Sequence, residues 1–247
     1  ELNRKIVDHL SDINFVLSEH ARKYLIMEGV RPETIIKTGS NMHEVIEYFK
    51  PKFDSASVLK KHNLKENNFF VASIHREENV DNANDLLRIV NTLNEIADDF
   101  GFPIIVSTHP RTRKRIEELK NIKLSPLVQL LKPFGFFDYM KLQMSAFCVI
   151  SDSGTITEES SLLSFPAVML RNAHERPEGM DVGAVVMSGL DAENVIRCIK
   201  LVIAHHKDRN NKSRTVLDYL NPEASKQICR VIYSYTNYIN QTVWKKS

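Results

Sequence analysis

Short apolar runs alternate with amphipathic stretches along most of the chain. The runs at 69–73, 104–107, 128–131, 147–150, 167–170 and 184–186 are continuous rather than alternating, which predicts strands buried on both faces. Two further runs, 13–17 and 35–38, precede them. Helical periodicity falls between the runs, at 18–27, 83–100, 113–119, 139–144, 157–163 and 192–205. Residues 1–12 also read as helix. Residues 223–244 read as a long one whose greasy face (Tyr233, Tyr235, Tyr238, Trp244) suits packing on another domain. Strands alternating with helices predict an α/β fold with a parallel, doubly wound sheet. Ligands of such sheets sit beyond the carboxyl ends of the strands, so the loops just after each strand are the place to look for chemistry.

Composition narrows the picture. A chain of 247 residues, 43% hydrophobic and 26% charged, buries one full core and plausibly one and a half. The net charge of +2 arises from nearly balanced acids and bases, with no basic block longer than a short surface run, so charge gives no support to nucleic-acid binding. Cys148, Cys198 and Cys229 lie far apart without CxxC spacing and read as reduced core or helix residues of a cytoplasmic protein. No apolar run reaches transmembrane length, and no membrane partner is expected. The first residue is Glu1 rather than Met, and the opening segment reads as the tail of a preceding domain.

Four polar clusters follow predicted strands and are expected to line one crevice: Gly39-Ser40-Asn41, His75-Arg76-Glu77-Glu78-Asn79, His109-Pro110-Arg111 and Asp152-Ser153-Gly154-Thr155. The last is the strongest. Strand, small-residue turn and helix start let the backbone approach a phosphate, while helix N–H groups and the dipole attract its charge. The plainer explanation is a capping box with Thr155 as cap and Glu158 three residues on. Capping leaves Glu159 unexplained, a carboxylate placed to point back to the crevice and accept ribose hydroxyls. His75 and Arg76 pair a near-neutral donor with a fixed cation, as a diphosphate requires, against the bland alternative of a satisfied loop histidine beside a solvated arginine. His109 is similar, although His-Pro-Arg is also a simple helix start. After the 167–170 run, Arg171 and Arg176 are candidate clamps, with Glu175 and Glu178 available to hold them. The aromatic segment 133–139 offers a ring for base stacking, without indicating which.

Read together, His75-Arg76-Glu77-Glu78-Asn79, Asp152-Ser153-Gly154 through Glu158-Glu159, and Glu175-Arg176-Pro177-Glu178 resemble, in order and spacing, the non-hydrolysing UDP-N-acetylglucosamine 2-epimerase family. The likeness covers nearly the whole chain, which matches the C-terminal two thirds of such proteins. It implies two Rossmann-like domains arranged as in GT-B glycosyltransferases. The chain would then supply the tail of the first domain (1–40), a UDP-binding Rossmann-like domain (41–230) and a helix crossing back (231–247). The resemblance places Ser153, Gly154 and Thr155 on the diphosphate, with His75, Arg76, Asn79, His109 and Arg176 around it. It also places Glu159 on the ribose and Tyr139, thirteen residues ahead of Asp152, on the uracil. Glu1-Asn3-Arg4 resembles a family segment whose glutamate faces the sugar, so Glu1 and His75 are the catalytic candidates.

Two departures from the commoner pattern, Thr155 for a glycine and His174 for a threonine, resemble, with Gly179-Met180-Asp181, the branch that epimerises UDP-2-acetamido-2,6-dideoxy-hexoses toward UDP-N-acetyl-L-fucosamine for capsule or O-antigen. The implied reaction is C2 epimerisation by elimination and return of UDP, by a homodimer when full-length. No metal or cofactor is implied, and the remaining carboxylates are expected in the first domain, leaving this portion to bind UDP weakly by itself. A GT-B glycosyltransferase, a hydrolysing epimerase and a non-catalytic nucleotide sensor are the alternatives.

Overall fold

The computed structural model describes residues 2–119, 123–173, 175–207 and 215–246. In chain order the elements are α1 (Leu2–Leu10), β1 (Asn14–Val16), α2 (Glu19–Met27), β2 (Ile35–Lys37), α3 (Asn41–Asp54), α4 (Val58–Lys61), β3 (Phe70–Ser73), α5 (Glu77–Val80), α6 (Ala83–Phe100) and β4 (Ile104–Ser107). There follow α7 (Pro110–Glu118), β5 (Val128–Leu131), α8 (Phe136–Ser145), β6 (Cys148–Ser151), α9 (Ile156–Leu163), β7 (Ala167–Met169), α10 (Pro177–Asp181), β8 (Val186–Met187), α11 (Ala192–Lys207) and α12 (Ala224–Thr242). These elements form two compact units, Phe49–Thr215 and Glu1–Tyr48 with Val216–Ser247.

In the unit Phe49–Thr215 six parallel strands run in the order β5-β4-β3-β6-β7-β8. The chain walks outward from β3 through β4 to β5, returns beside β3 as β6, and walks the other way. This reversal makes a switch point between β3 and β6, where the two following loops diverge and leave a crevice. Ser73 is in register with both Ser107 and Ser151, so β3, β4 and β6 end level and their loops leave one edge together. Continuous apolar strands are explained by burial on both sides. Phe70, Ala72, Ile104, Val106, Cys148 and Ile150 face Ile89 and Leu93 of α6 and Val195 and Ile199 of α11. The alternate residues Phe69, Val71, Ile105 and Val149 face Leu142 of α8 and Ile156 of α9.

The other unit holds a separate parallel pair, β1 and β2. Gly39-Ser40-Asn41 therefore follows a strand of this small sheet, not one of the six, which corrects the expectation of four clusters on one edge. A strand-then-loop rhythm carries no information about which sheet a strand joins. Gly39 has φ +75°, and an added Cβ would lie 2.6 Å from the Asp218 carbonyl oxygen, so glycine is required there by both conformation and space. The Tyr235 hydroxyl on α12 donates to the Glu33 carbonyl at 3.0 Å and, just beyond the helix, Trp244 Nε1 donates to Asp12 at 3.0 Å, while Tyr233 and Trp244 remain exposed.

Several boundaries differ from the sequence reading. Pro110, with its preset φ, starts α7 three residues early. The last strand lies at Val186–Met187 instead of 184–186. Among the described residues no helix is long and apolar enough to cross a membrane, and no group of three or more His, Cys, Asp or Glu side chains is placed to hold a metal ion.

Candidate functional site

Asp152, the first residue beyond β6, is fully buried and ties together the two loops at the switch point. Its carboxylate accepts from the backbone N–H groups of His75 (3.1 Å) and Arg76 (3.0 Å) and from the Asn79 amide (3.0 Å). His75 Nδ1 lies 3.2 Å from Oδ1 of the same group. With Nδ1 turned to a carboxylate, which accepts, the ring presents Nε2 outward. Asn79 is buried, its amide nitrogen held by Asp152 and 3.5 Å from the Leu170 carbonyl. The sequence reading used Asp152 as a strand-end marker and missed this role. Its position beside a buried strand end was the available signal.

The turn 152–155 leads into α9. Arg76 donates through Nε to the Asp152 carbonyl at 3.1 Å, and Arg176, the residue before α10, donates through Nε to the Gly154 carbonyl at 3.0 Å. A methyl group built on Gly154 would meet Arg76 Nη2 at 3.8 Å and Arg176 Nε at 3.9 Å. Two guanidinium groups thus converge on a glycine at the N-terminus of a helix, where the dipole adds positive potential. Thr155 is the N-cap of α9, but its side chain caps no N–H, and its Oγ1 lies 2.9 Å from Ser153 Oγ. The capping box is therefore not formed. Glu158 binds Arg176 Nη2 at 2.6 Å, a holder the sequence reading did not name. Glu175 instead reaches Arg76 and Arg171, each at 3.4 Å, and although desolvation works the other way, these cations hold its carboxyl below the usual range.

Behind the turn lies a buried polar cluster. Glu159 is 8% exposed and accepts from Gln143 Nε2 at 2.7 Å. Burial pushes its carboxyl above the usual range, against the pull of hydrogen bonds from Gln143 and Thr155 and of the Arg176 charge. Tyr139, one turn before Gln143 on α8, lies near Ser73 and Gln143, and burial together with the Glu159 charge pushes its phenol strongly up. Its ring is half-buried against the core of that sheet face. Of the other aromatic candidates, Phe136 and Phe137 pack on Phe53 and Phe134 packs on His62.

On the other side of the switch point a cavity of about 440 Å³ is lined by Ser73, His75, Glu77, Ser107, His109 and Arg111, among others. His109 caps α7, its Nδ1 accepting from the Arg111 N–H at 3.3 Å, which leaves Nε2–H as the ring's donor. Arg111 is engaged by Asp81 at 2.5 Å and Glu77 at 3.2 Å. The edge thus brings together His75, Arg76, Asn79, His109, Tyr139, Ser153, Gly154, Thr155, Glu159 and Arg176, all in Phe49–Thr215. Glu1 and His174 lie outside the described residues.

Comparison with known proteins adds an independent line. The family described as UDP-N-acetylglucosamine 2-epimerase matches residues 1–233. A UDP-N-acetylglucosamine 2-epimerase of Methanocaldococcus jannaschii is 30% identical over 244 residues, 96% of this chain and 65% of that protein. The structure of UDP-N-acetylglucosamine 2-epimerase from Rickettsia bellii aligns with TM-score 0.90 at 45% identity, covering 99% of this chain and 65% of that one. The M. jannaschii enzyme in complex with UDP-GlcNAc and UDP aligns with TM-score 0.82 at 30% identity, covering 95% and 64%. The chain spans about 65% of the length of these relatives.

Proposed function

Because this chain belongs to the UDP-N-acetylglucosamine 2-epimerase family, we propose that its six-stranded sheet grips the UDP of a UDP-2-acetamido sugar within a longer protein that inverts C2 of that sugar. The observation that carries this reading is the convergence of Arg76 and Arg176 on Gly154 at the start of α9, with the buried Glu159 carboxylate one turn along. Ser153, Gly154 and Thr155 receive the diphosphate, Arg76 and Arg176 neutralise it, His109 Nε2 donates to it, and Glu159 accepts the ribose hydroxyls. Asn79 acts by holding Asp152, Tyr139 borders the base, and His75 Nε2 and Glu1 face the sugar.

The hydrogen on C2 of such a sugar is not flanked by a carbonyl, so direct abstraction and return would require an unstabilised carbanion. Elimination avoids it. A base removes the C2 proton as the C1–O bond to UDP breaks, leaving a 2-acetamido glycal and UDP. UDP then returns to C1 while a proton is delivered to the opposite face of C2. The departing diphosphate takes up the electron pair, so cations fixed around it stabilise the transition state more than the ground state. The same grip retains detached UDP until it returns.

In its finer form the reading assigns the substrate to UDP-2-acetamido-2,6-dideoxy-hexoses, made into capsule or O-antigen precursors by a cytoplasmic homodimer. What supports it is the resemblance of Thr155, standing where the commoner pattern has a glycine, and of Gly179-Met180-Asp181 to that branch. Calorimetric titration with UDP tests the core of the proposal. Binding should be lost in Arg176→Ala and strongly weakened in Glu159→Ala. A folded chain that gives no heat with millimolar UDP, alone and as part of a longer form, would refute it.

A further inference from the structure

Gln143 was no part of the sequence reading, yet it is the one fully buried polar side chain shown bonding Glu159 from another helix among the described residues. It sits on α8 between the buried Met140 and Ser145. Its Nε2 donates to Glu159 Oε2 at 2.7 Å, a short, charge-assisted contact. Its Oε1 is buried with no hydrogen-bond partner. Leaving a buried acceptor unsatisfied is costly, so the amide's orientation must be set by what its donor side gains. Turned over, it would aim an oxygen at a carboxylate. The Tyr139 hydroxyl, one turn earlier on α8, lies near this side chain and near Ser73 at the end of β3. The polar side chains of Ser73, Tyr139, Gln143 and Glu159 therefore gather behind the phosphate turn, between β3, α8 and α9.

We propose that Gln143 is a positioning residue that aims the Glu159 carboxylate at the nucleotide ribose and joins it to the helix that borders the base. This inference rests on the reading of Glu159 as the ribose contact. Burial disfavours the charged form of Glu159, and only the charged form offers two oxygens that accept from two hydroxyls. The groups that act on it are Gln143 and Tyr139 from α8, Thr155 at the phosphate turn, Glu158 on its own helix and Arg176 before α10. Arg176 is engaged by Glu158 at 2.6 Å, and Thr155 lies on the exposed turn, so Gln143 supplies the buried donor. Without it the carboxyl should rise further and lose its orientation, and UDP binding should fail as pH drops through that raised value.

The test compares UDP with 2′-deoxy-UDP on the unmodified protein, on Gln143→Met, which conserves volume, and on Gln143→Asn, which keeps an amide but withdraws it by one methylene. Carbon-13 NMR of labelled Glu159 reads its titration without nucleotide. The expected result is about a tenfold loss of UDP affinity with little change for 2′-deoxy-UDP, an upward shift of the Glu159 titration, and no further effect of Gln143→Met in a Glu159→Gln background. If the Glu159 titration is unmoved, or both nucleotides weaken alike in the folded variants, Gln143 is only a packing residue and the proposal falls. Should the unmodified protein fail to distinguish the two nucleotides while the titration still shifts, it is the ribose assignment of Glu159 that falls, and with it this role for Gln143 in binding. Gln143→Asn keeps the test decisive if the methionine variant does not fold.

Discussion

A methyl group at Gly154 would lie at ordinary van der Waals distances from Arg76 Nη2 and Arg176 Nε, 3.8 and 3.9 Å. Sterics in the protein alone therefore do not demand glycine here, and under the proposed function the demand comes from the phosphate between the two cations. Gly154→Ala should shift stability by no more than about 0.5 kcal/mol while lowering UDP affinity at least about tenfold, as read by calorimetry of unfolding beside nucleotide titration. Equal affinity would show that no phosphate lies on this turn. Asp152 presents the opposite case. Its buried carboxylate receives two backbone N–H groups, an amide and an imidazole, so Asp152→Asn turns an amide toward donors. A loss of about 2–4 kcal/mol is expected in urea unfolding, with nucleotide binding lost at the same time. Glu159 should behave differently from both. Its folded carboxyl is raised above its unfolded value, so it contributes stability fully present at low pH and lost as pH rises through the raised value. Glu159→Gln should therefore raise the melting temperature at neutral pH while weakening UDP. At this scale the sequence displayed the exposed chemistry, Arg76, Ser153 and Arg176, because each sits beside a recognisable strand end. It concealed Gln143 and the Glu158 partner of Arg176, since those contacts join residues 16 and 18 positions apart and no local pattern links them.

Helix α10 is only Pro177–Asp181, yet it delivers Arg176 to the site. What seats it is Gly179, whose added Cβ would lie 2.1 Å from Thr157 Cγ2 on α9. Thr157 is fully buried and stiff at χ1, so it cannot yield. Gly179→Ala should push α10 away from α9, drawing Arg176 from Glu158 and from the Gly154 carbonyl. The expected cost is about 1–3 kcal/mol in stability, together with a fall in UDP affinity that Gly179→Ala shares with Arg176→Ala. Unchanged affinity in a destabilised variant would mean that Arg176 is placed by its own ion pair and not by the helix. Long elements such as α6 and α11 were legible because each repeats its apolar face over four or more turns. The short helix carrying Arg176 was not, because five residues hold too little periodicity, and the Gly179–Thr157 approach is a tertiary contact.

For the whole molecule, the strand order decides where binding energy can be gathered. Apolar runs predicted a parallel sheet, but only the order β5-β4-β3-β6-β7-β8 makes β3 and β6 neighbours and so brings His75-Arg76 beside Asp152-Ser153-Gly154. Sequence rhythm does not encode that order, which is why Gly39-Ser40-Asn41 was grouped with the others. Every described residue assigned to the nucleotide belongs to Phe49–Thr215, and this has a measurable consequence. A ligand that binds only the folded form stabilises it by RT ln(1 + [L]/Kd), about 2.7 kcal/mol at a hundredfold excess over Kd. Since that stabilisation acts first on the elements the ligand touches, hydrogen exchange with saturating UDP should slow at 73–80, 152–160 and 170–181, the loops at the switch point and the helices they open. The amides of β1, β2 and α12, in the other unit, should exchange as they do without nucleotide. Protection spread evenly over both units would mean that UDP is read by the molecule as a whole, and the nucleotide would then have to contact residues beyond the six-stranded sheet.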